Sequence, residues 1–403
     1  MIVIGITGTK WKTTVTNIIS RALQLSGKRT CMFSTANMMI DGKMMNNAMK
    51  MTSPSPFVLW DFLKKAQKQW CNYAVIETSS HALHFHRNFW LRFDVAVLTN
   101  IAQDHLDLHG TMEHYVSTKQ KLFTALYSQG IRRGVKKIWV VNMDSPYSQE
   151  FINKDIVVDN MYTFWLQRWA QVTAKDIIEK EDGTYFTVKM PSNTFQIHTK
   201  LPGEFNVMNI LAATCVLVSQ QLSVEQIQKA IDVVDSVPWR MEMIPNNRWI
   251  DIFVDYAHTE DSLKNVLETL SKRKKGKIIA VFGATGDRDI TKRPKMWRVL
   301  DKLSDNIIIT DDDTYTEDSL KILRELSAGI MRKEGENFWI IPDRWDAIRT
   351  ALIMALPNDV ILIAGKWSET TQVTKNWPIP WNDREIVEKI LKEIHLQQIP
   401  VKK

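Results

Sequence analysis

Nine short apolar runs punctuate the chain, at residues 2–6, 73–76, 95–98, 138–141, 252–254, 278–282, 307–309, 339–341 and 360–364. Most are continuous rather than alternating, the pattern of strands buried on both faces of a parallel sheet. Stretches with helical periodicity fall between them, at 13–25, 117–126, 207–220, 261–271 and 383–394. This alternation predicts an α/β architecture. Between residues 174 and 200 the period shortens to two, over 185–190 and 195–198, which predicts an antiparallel insert.

Ser236-Val237-Pro238 closes a helical stretch at 224–233, and a new strand, loop, helix series begins after it. The expected domains are therefore 1–236 and 237–403. A chain of 403 residues can bury two or three cores of ordinary size.

Charge and cysteine content narrow the setting. The formal net charge is +7, but the densest basic run, Lys272 to Lys275, has no interleaved aromatics and reads as a solvated loop rather than a nucleic-acid patch. Cys31, Cys71 and Cys215 are too widely spaced for a disulfide framework or a zinc pattern of near neighbours. No apolar run approaches the roughly 18 residues of a membrane span, and the first residues lack a basic leader region. The expectation is a cytoplasmic protein with neither membrane nor nucleic-acid partner.

The chemistry begins at the first strand. Gly5-Ile6-Thr7-Gly8-Thr9-Lys10-Trp11-Lys12-Thr13-Thr14 lies between a predicted strand and a predicted helix. In that context backbone N–H groups and the helix N-terminus hold phosphates, Lys12 neutralises them and Thr13 can ligate Mg2+. Glu77-Thr78-Ser79-Ser80-His81-Ala82-Leu83 leaves the carboxyl end of another strand, the end where α/β sheets bind ligands, so Glu77 is placed to reach a metal. Leu98 to Gly110 leaves a third strand end with further oxygen and nitrogen ligands, and Tyr115-Val116-Ser117-Thr118-Lys119 opens a helix.

These segments resemble the Mur ligase family, in its UDP-N-acetylmuramoyl-tripeptide synthetase branch. The phosphate loop, E-x-S-S-H-A-L and T-N-x-x-x-D-H-L-D-x-H-G-T-M-E-x-Y-x-x-x-K occur in the family's order. The resemblance implies a P-loop-type central ATPase domain with a mostly parallel sheet, followed by a Rossmann-like C-terminal domain that binds the amino acid. It implies an ADP-forming ligase in peptidoglycan precursor synthesis. ATP phosphorylates the carboxylate of UDP-N-acetylmuramoyl-dipeptide, and an amino acid then attacks the acyl phosphate.

Carried onto this chain, Gly8, Thr9, Lys12, Thr13 and Thr14 would hold ATP. Thr13, Glu77, His105 and Lys119 would hold Mg2+, with Lys119 at the position the family carbamylates. Asn209, in Gly203-Glu204-Phe205-Asn206-Val207-Met208-Asn209, falls in the adenine-side segment. Arg240 matches an arginine that supports the γ-phosphate, a role suited to bidentate contacts. Asp255, Tyr256 and His258 match a nucleotide-contacting strand end of the last domain, which would place ATP between two domains. Lys12, His105, Lys119 and Arg240 are the candidate catalytic set.

Thr52, Ser53, Ser79 and Arg87 match contacts to the muramoyl peptide, although Phe85 stands where glutamine is common. Arg288, Asp312, Asp313, Gly365 and Glu369 match contacts to the incoming amino acid. The diaminopimelate branch typically carries D-N-P-R, where this chain has Asp312-Asp313-Thr314-Tyr315. Tyr315 thus removes the arginine that would pair with a distal carboxylate, which favours lysine or another amine-bearing residue. Ser368 also replaces a usual histidine. The family's first, UDP-gripping domain has no counterpart here: either a separate domain or chain supplies it, the reading frame starts late, or the substrate is different. A cyanophycin- or folylpolyglutamate-type ligase, or an inactive nucleotide-binding homologue, are the alternatives.

One departure recurs. The chain holds 15 glycines and 15 tryptophans, whereas ordinary usage of about 7% predicts about 28 glycines. Trp11, Trp239 and Trp367 replace motif glycines, and Trp70, Trp90 and Trp165 align with less strict ones. A tryptophan buries roughly 150–250 Å² and does not readily take the positive φ that glycine supplies. The expectation is that many of these are UGA codons read as glycine by the source organism.

Overall fold

The computed structural model describes residues 1–398 apart from 48, 50, 51, 129–133, 153–158, 167–169, 181, 235, 238, 239, 288, 289, 291, 292, 329, 330, 367–370 and 376. The chain forms two compact units, Met1–Val237 and Pro238–Lys403.

The first unit is built on one sheet in the order β11-β10-β9-β8-β7-β6-β1-β5-β2-β3-β4. Its central strands are β1 (Ile2–Thr7), β2 (Thr30–Phe33), β5 (Tyr73–Glu77), β6 (Val95–Leu98) and β7 (Ile138–Asn142). All pair in parallel and are almost wholly buried, which is why they read as unbroken apolar runs. Strands β3 (Asn37–Ile40) and β4 (Lys43–Asn46) add an antiparallel edge, and β8 (Asn160–Trp165) continues the parallel side.

Strands β9 (Val172–Lys180), β10 (Gly183–Lys189) and β11 (Thr194–Thr199) are antiparallel to one another. They are not a separate insert, however. β8 pairs with β9, so the three strands prolong the main sheet. Their inward residues Phe186, Val188 and Ile197 join the core under α6.

Helices α1 (Lys12–Leu25), α6 (Glu204–Ser219) and α7 (Val224–Asp232) cover one face; α2 (Pro56–Lys68), α3 (Ser80–His84), α4 (Leu106–His109) and α5 (Met112–Ser128) complete the unit. The α6 helix is apolar nearly all round, as expected of a helix buried on most sides. Because β1 lies between β5 and β6, the loops leaving the carboxyl ends of all three strands converge, the usual ligand position in such sheets.

The second unit has strands β12 (Glu242–Met243), β13 (Asp251–Asp255), β14 (Ile278–Phe282), β15 (Asn306–Ile309), β16 (Phe338–Ile340) and β17 (Val360–Ala364), in the order β12-β13-β17-β14-β15-β16. All but the β12–β13 pair are parallel. Helices α8 (Glu260–Arg273), α9 (Arg293–Leu303), α10 (Ser319–Ser327), α11 (Arg344–Met354) and α12 (Asp383–Gln398) complete it, with a short hairpin of β18 (Thr371–Val373) and β19 (Pro378–Pro380).

Candidate active site

The loop after β1 is fixed by its neighbour after β6. Thr9 N–H donates to the Asn100 carbonyl and Lys10 N–H to Asn100 Oδ1, both at 2.8 Å, while the Thr99 hydroxyl donates to the Lys10 carbonyl at 2.7 Å. A Cβ at Gly8 would lie 1.9 Å from Thr99 Oγ1, so this close approach requires glycine. Lys12 folds back so that its Nζ donates to the Thr9 carbonyl at 2.8 Å. Thr13 and Thr14 are buried in the first turn of α1. First-turn amides have no intrahelical acceptor and carry partial positive charge, which makes this end a seat for phosphate.

Glu77, at the end of β5, is 2% exposed. Its Oε2 accepts from the Thr13 hydroxyl at 3.0 Å and from Thr35 N–H at 2.7 Å. The Thr35 hydroxyl lies 2.9 Å from Oε1 and 2.8 Å from the Thr52 hydroxyl. Carboxylate and hydroxyl oxygens side by side are the donors a hard divalent cation takes, and an ionised carboxylate keeps lone pairs beyond those engaged here.

Lys119, on α5, is 1% exposed. Its Nζ donates to the Gly8 carbonyl at 2.8 Å and sits 4.6 Å above the Tyr115 ring, whose hydroxyl meets Thr9 Oγ1 at 3.0 Å. Burial, reinforced by the Lys12 cation, holds the Lys119 amine well below its usual range, against the pull of Asp104 and Glu77. As an ammonium Lys119 cannot ligate a cation. A neutral buried amine can react with CO2 and become a carbamate that does.

His105 caps α4 at φ 52°, with Nε2 3.5 Å from the Asp104 carboxylate. Desolvation brings its imidazole down to about 4, leaving it neutral at pH 7. Beside it, His84, His109 and His114 bring ring nitrogens within 4.8 Å of one another. Both ring nitrogens of buried His109 lack a partner, and His114 Nδ1 donates to the His109 carbonyl at 2.9 Å. This imidazole set suits a softer metal than the oxygen site, but its nitrogens must close toward the roughly 2.0–2.1 Å ligand distances of zinc.

The residues matched to the acceptor also gather. Ser79 caps α3 through Ala82 N–H, meets the Ser53 hydroxyl at 3.1 Å, and Arg87 donates to the Ser53 carbonyl at 3.1 Å. Ser53, Glu77 and Arg87 line one cavity with Phe33 and Asn88. Asn209 is buried within α6, donating to Asn206 Oδ1 at 3.0 Å.

In the second unit, Asp255 ends β13 and accepts from Met241 N–H and Ala257 N–H, both at 2.7 Å. Burial raises its pKa against the opposing Arg240 cation and those two amides. Arg240 stacks 4.9 Å from the Tyr256 ring, which lies 4.2 Å from the His258 ring. Asp312 and Asp313, after β15, are 2% and 3% exposed. Lys366 Nζ reaches them at 3.3 and 2.6 Å. Gly365 takes φ 98°, and a Cβ there would lie 2.4 Å from the Gly283 carbonyl. Arg288, Glu369, Trp239 and Trp367 lie outside the described residues.

Sequence reasoning missed Thr35 and gave Asn100 and Lys366 no role of their own. Thr35 and Asn100 follow buried strands, a position that could have marked them. Lys366 directly follows Gly365, which the sequence did single out, but its carboxylate partners are 53 and 54 residues away in sequence.

Residues 6–217 match the Mur ligase middle domain, and 239–367 match the Mur ligase, glutamate ligase domain. The chain belongs to the Mur ligase family. It is 38% identical over 390 residues to the UDP-N-acetylmuramoyl-L-alanyl-D-glutamate--2,6-diaminopimelate ligase of Geobacillus kaustophilus, covering 97% of this chain and 78% of that one. It is 35% identical over 402 residues to the UDP-N-acetylmuramyl-tripeptide synthetase of Roseiflexus sp., covering 98% and 79%. A solved UDP-N-acetylmuramoyl-L-alanyl-D-glutamate--2,6-diaminopimelate ligase, at 28% identity and TM-score 0.69, covers 98% of this chain and 79% of its own. A Mycobacterium tuberculosis folylpolyglutamate synthase, at 16% identity and TM-score 0.69, shares the fold alone with this Mur ligase. Among the described residues no helix is long and apolar enough to cross a membrane.

Proposed function

We infer that this Mur ligase is an ATP-dependent enzyme of peptidoglycan precursor synthesis that joins an amino acid to UDP-N-acetylmuramoyl-dipeptide. The observation that carries the reading is the convergence of a phosphate loop, Glu77 and the desolvated amine of Lys119 at adjoining strand ends. Each supplies something the reaction requires: an anion seat, an oxygen ligand for Mg2+, and a lysine whose burial favours the neutral amine that carbamylation needs.

When bound, ATP supplies the phosphoryl group that activates the acceptor carboxylate. Lys12 and the first turn of α1 hold its phosphates. Thr13 and Glu77 provide hard oxygen ligands for Mg2+. Carbamylation forms an N–C bond between Lys119 Nζ and CO2, releases the amine proton to water and leaves a carboxylate-like group. His105, neutral at pH 7, is available as a nitrogen ligand or hydrogen-bond partner. Ser53, Ser79 and Arg87 orient the muramoyl peptide. Arg240, Asp255, Tyr256 and His258 belong to the nucleotide side of the second unit, and Arg288, Gly365 and Glu369 to the amino-acid side.

Asp312 and Asp313 act as positioning residues, because Lys366 engages both carboxylates in the interior. The added amino acid is an amine-bearing residue such as lysine, since Tyr315 offers no cation to a second carboxylate. A panel of amino acids tested for ADP-forming ligation checks this: lysine turned over in preference to diaminopimelate supports it, and the reverse preference refutes it.

A further inference from the structure

Left-handed backbone separates the tryptophans of this chain into kinds. L-residues with φ > 0 bring Cβ against the neighbouring carbonyl, so only a few per cent of non-glycine residues adopt it, with Asp, Asn and His strongly enriched. Twelve described non-glycine residues do so here. Six are of the tolerant types: Asp41, Asp176, Asp287, Asn358, His86 and His105. Three are tryptophans: Trp11 at 69°, Trp70 at 58° and Trp249 at 58°. Only twelve tryptophans are described, so a quarter of them occupy a conformation in which a bulky residue is a genuine outlier.

Trp70 has an internal control. Where α1 ends, Gly27 N–H donates to the Gln24 carbonyl at 3.0 Å and Lys28 N–H to Leu23 at 2.9 Å, with Gly27 at φ 77°. Where α2 ends, Trp70 N–H donates to Gln67 at 2.9 Å and Cys71 N–H to Ala66 at 3.1 Å. Both are the same left-handed helix stop, which glycine usually fills. Gln221 fills the equivalent place after α6 at φ 63°, so a Cβ is endurable there, but Trp70 is 76% exposed and gains little burial to offset its strain. Trp249, in the turn joining β12 to β13, is 84% exposed and has no such compensation either. Trp11 caps α1 inside the phosphate loop, stacked on Phe205 at 6.3 Å.

Trp381 is the opposite kind. Its indole N–H donates to Asp383 Oδ1 at 2.8 Å, next to the buried Arg344–Asp383 pair, a contact glycine cannot make. The indole nitrogens of Trp90, Trp139, Trp165 and Trp297 are buried without a partner.

We propose that positions 11, 70 and 249 are glycine in the protein its organism makes, encoded by UGA, whereas position 381 is tryptophan. UGA differs from the glycine codon GGA by one base. The left-handed backbone at residues 11, 70 and 249 is then ordinary, and the phosphate loop carries glycine immediately before Lys12.

Peptide mass spectrometry of the chain purified from its source organism tests this without reference to ligase activity, so its failure is separate from failure of the proposed function. Glycine at 11, 70 and 249 together with tryptophan at 381 is the expected result. Tryptophan at any of the first three, or glycine at 381, overturns it. In recombinant protein, W70G and W249G should raise the melting temperature and W381G should lower it. A fall for W70G and W249G would contradict the conformational argument.

Discussion

Lys119 Nζ donates to the carbonyl of Gly8 at 2.8 Å, tying a buried amine on α5 to the phosphate loop after β1. An ammonium held there faces a backbone carbonyl and a tyrosine ring, and burial, with the Lys12 cation, depresses its pKa. K119A should reduce kcat by on the order of 10²–10³, the usual loss when one preorganised electrostatic group is removed from an active site. K119R should be no better, because a guanidinium does not form the carbamate. Depleting bicarbonate should slow the unsubstituted enzyme, and restoring it should recover the rate. An active K119R would remove carbamylation from the account.

Glu77 offers a charge test that leaves the fold nearly intact. E77Q keeps the shape and an acceptor oxygen for Thr13 and Thr35 but loses the negative charge. The Mg2+ concentration needed for half-maximal turnover should rise at least about tenfold, equivalent to roughly 1.4 kcal/mol, with little change in melting temperature. An unchanged Mg2+ requirement would place the cation elsewhere.

Stability should fall on acidification before the carboxylates titrate. His105 and His109 are both brought down from 6.5 to about 4, chiefly by desolvation. Between these values the unfolded chain binds protons that the folded chain does not. Stability is therefore complete above about pH 6.5 and is lost as pH falls toward about 4. Melting temperatures from pH 7.5 to 4.5 should show this decline, and H109Q should flatten it. An equally steep decline in H109Q would assign the effect to other groups.

Arg344 and Asp383 form a two-bond ion pair in the second unit, with Nε–Oδ1 at 2.8 Å and Nη2–Oδ2 at 2.7 Å. Their side chains are 0% and 5% exposed. D383A strands a buried guanidinium and should cost about 3–5 kcal/mol in denaturant unfolding. A loss below about 1 kcal/mol would indicate that Arg344 finds another partner, as exposed pairs do.

The parallel strands were readable because burial on both faces leaves unbroken apolar runs: 95–98, 278–282 and 360–364 coincide with β6, β14 and β17. The β3–β4 hairpin was not, since Met38, Met39, Met44 and Met45 give no alternation and the turn rests on Gly42 at φ 81°. The three strands β9 to β11 showed the right period, but period alone does not reveal that β8 joins them to the main sheet. The loop residues around Lys12, Glu77 and Lys119 were legible as motifs. The engagement of Asp312 and Asp313 by Lys366 was not, because it depends on β15 and β17 flanking β14 in parallel, so that their carboxyl ends face the same edge of the sheet. Trp249 stood in no motif, and only its backbone sets it apart.

The most direct test of the central claim is phosphate release from ATP and Mg2+ by the chain carrying glycine at positions 11, 70, 239, 249 and 367. It would be measured with UDP-N-acetylmuramoyl-dipeptide and lysine, diaminopimelate or other amino acids, together and separately. The account predicts release that requires both acceptor and one amino acid, with matching formation of the tripeptide product. Phosphate release indifferent to the acceptor, or none at all from a chain that still binds ATP, would contradict it.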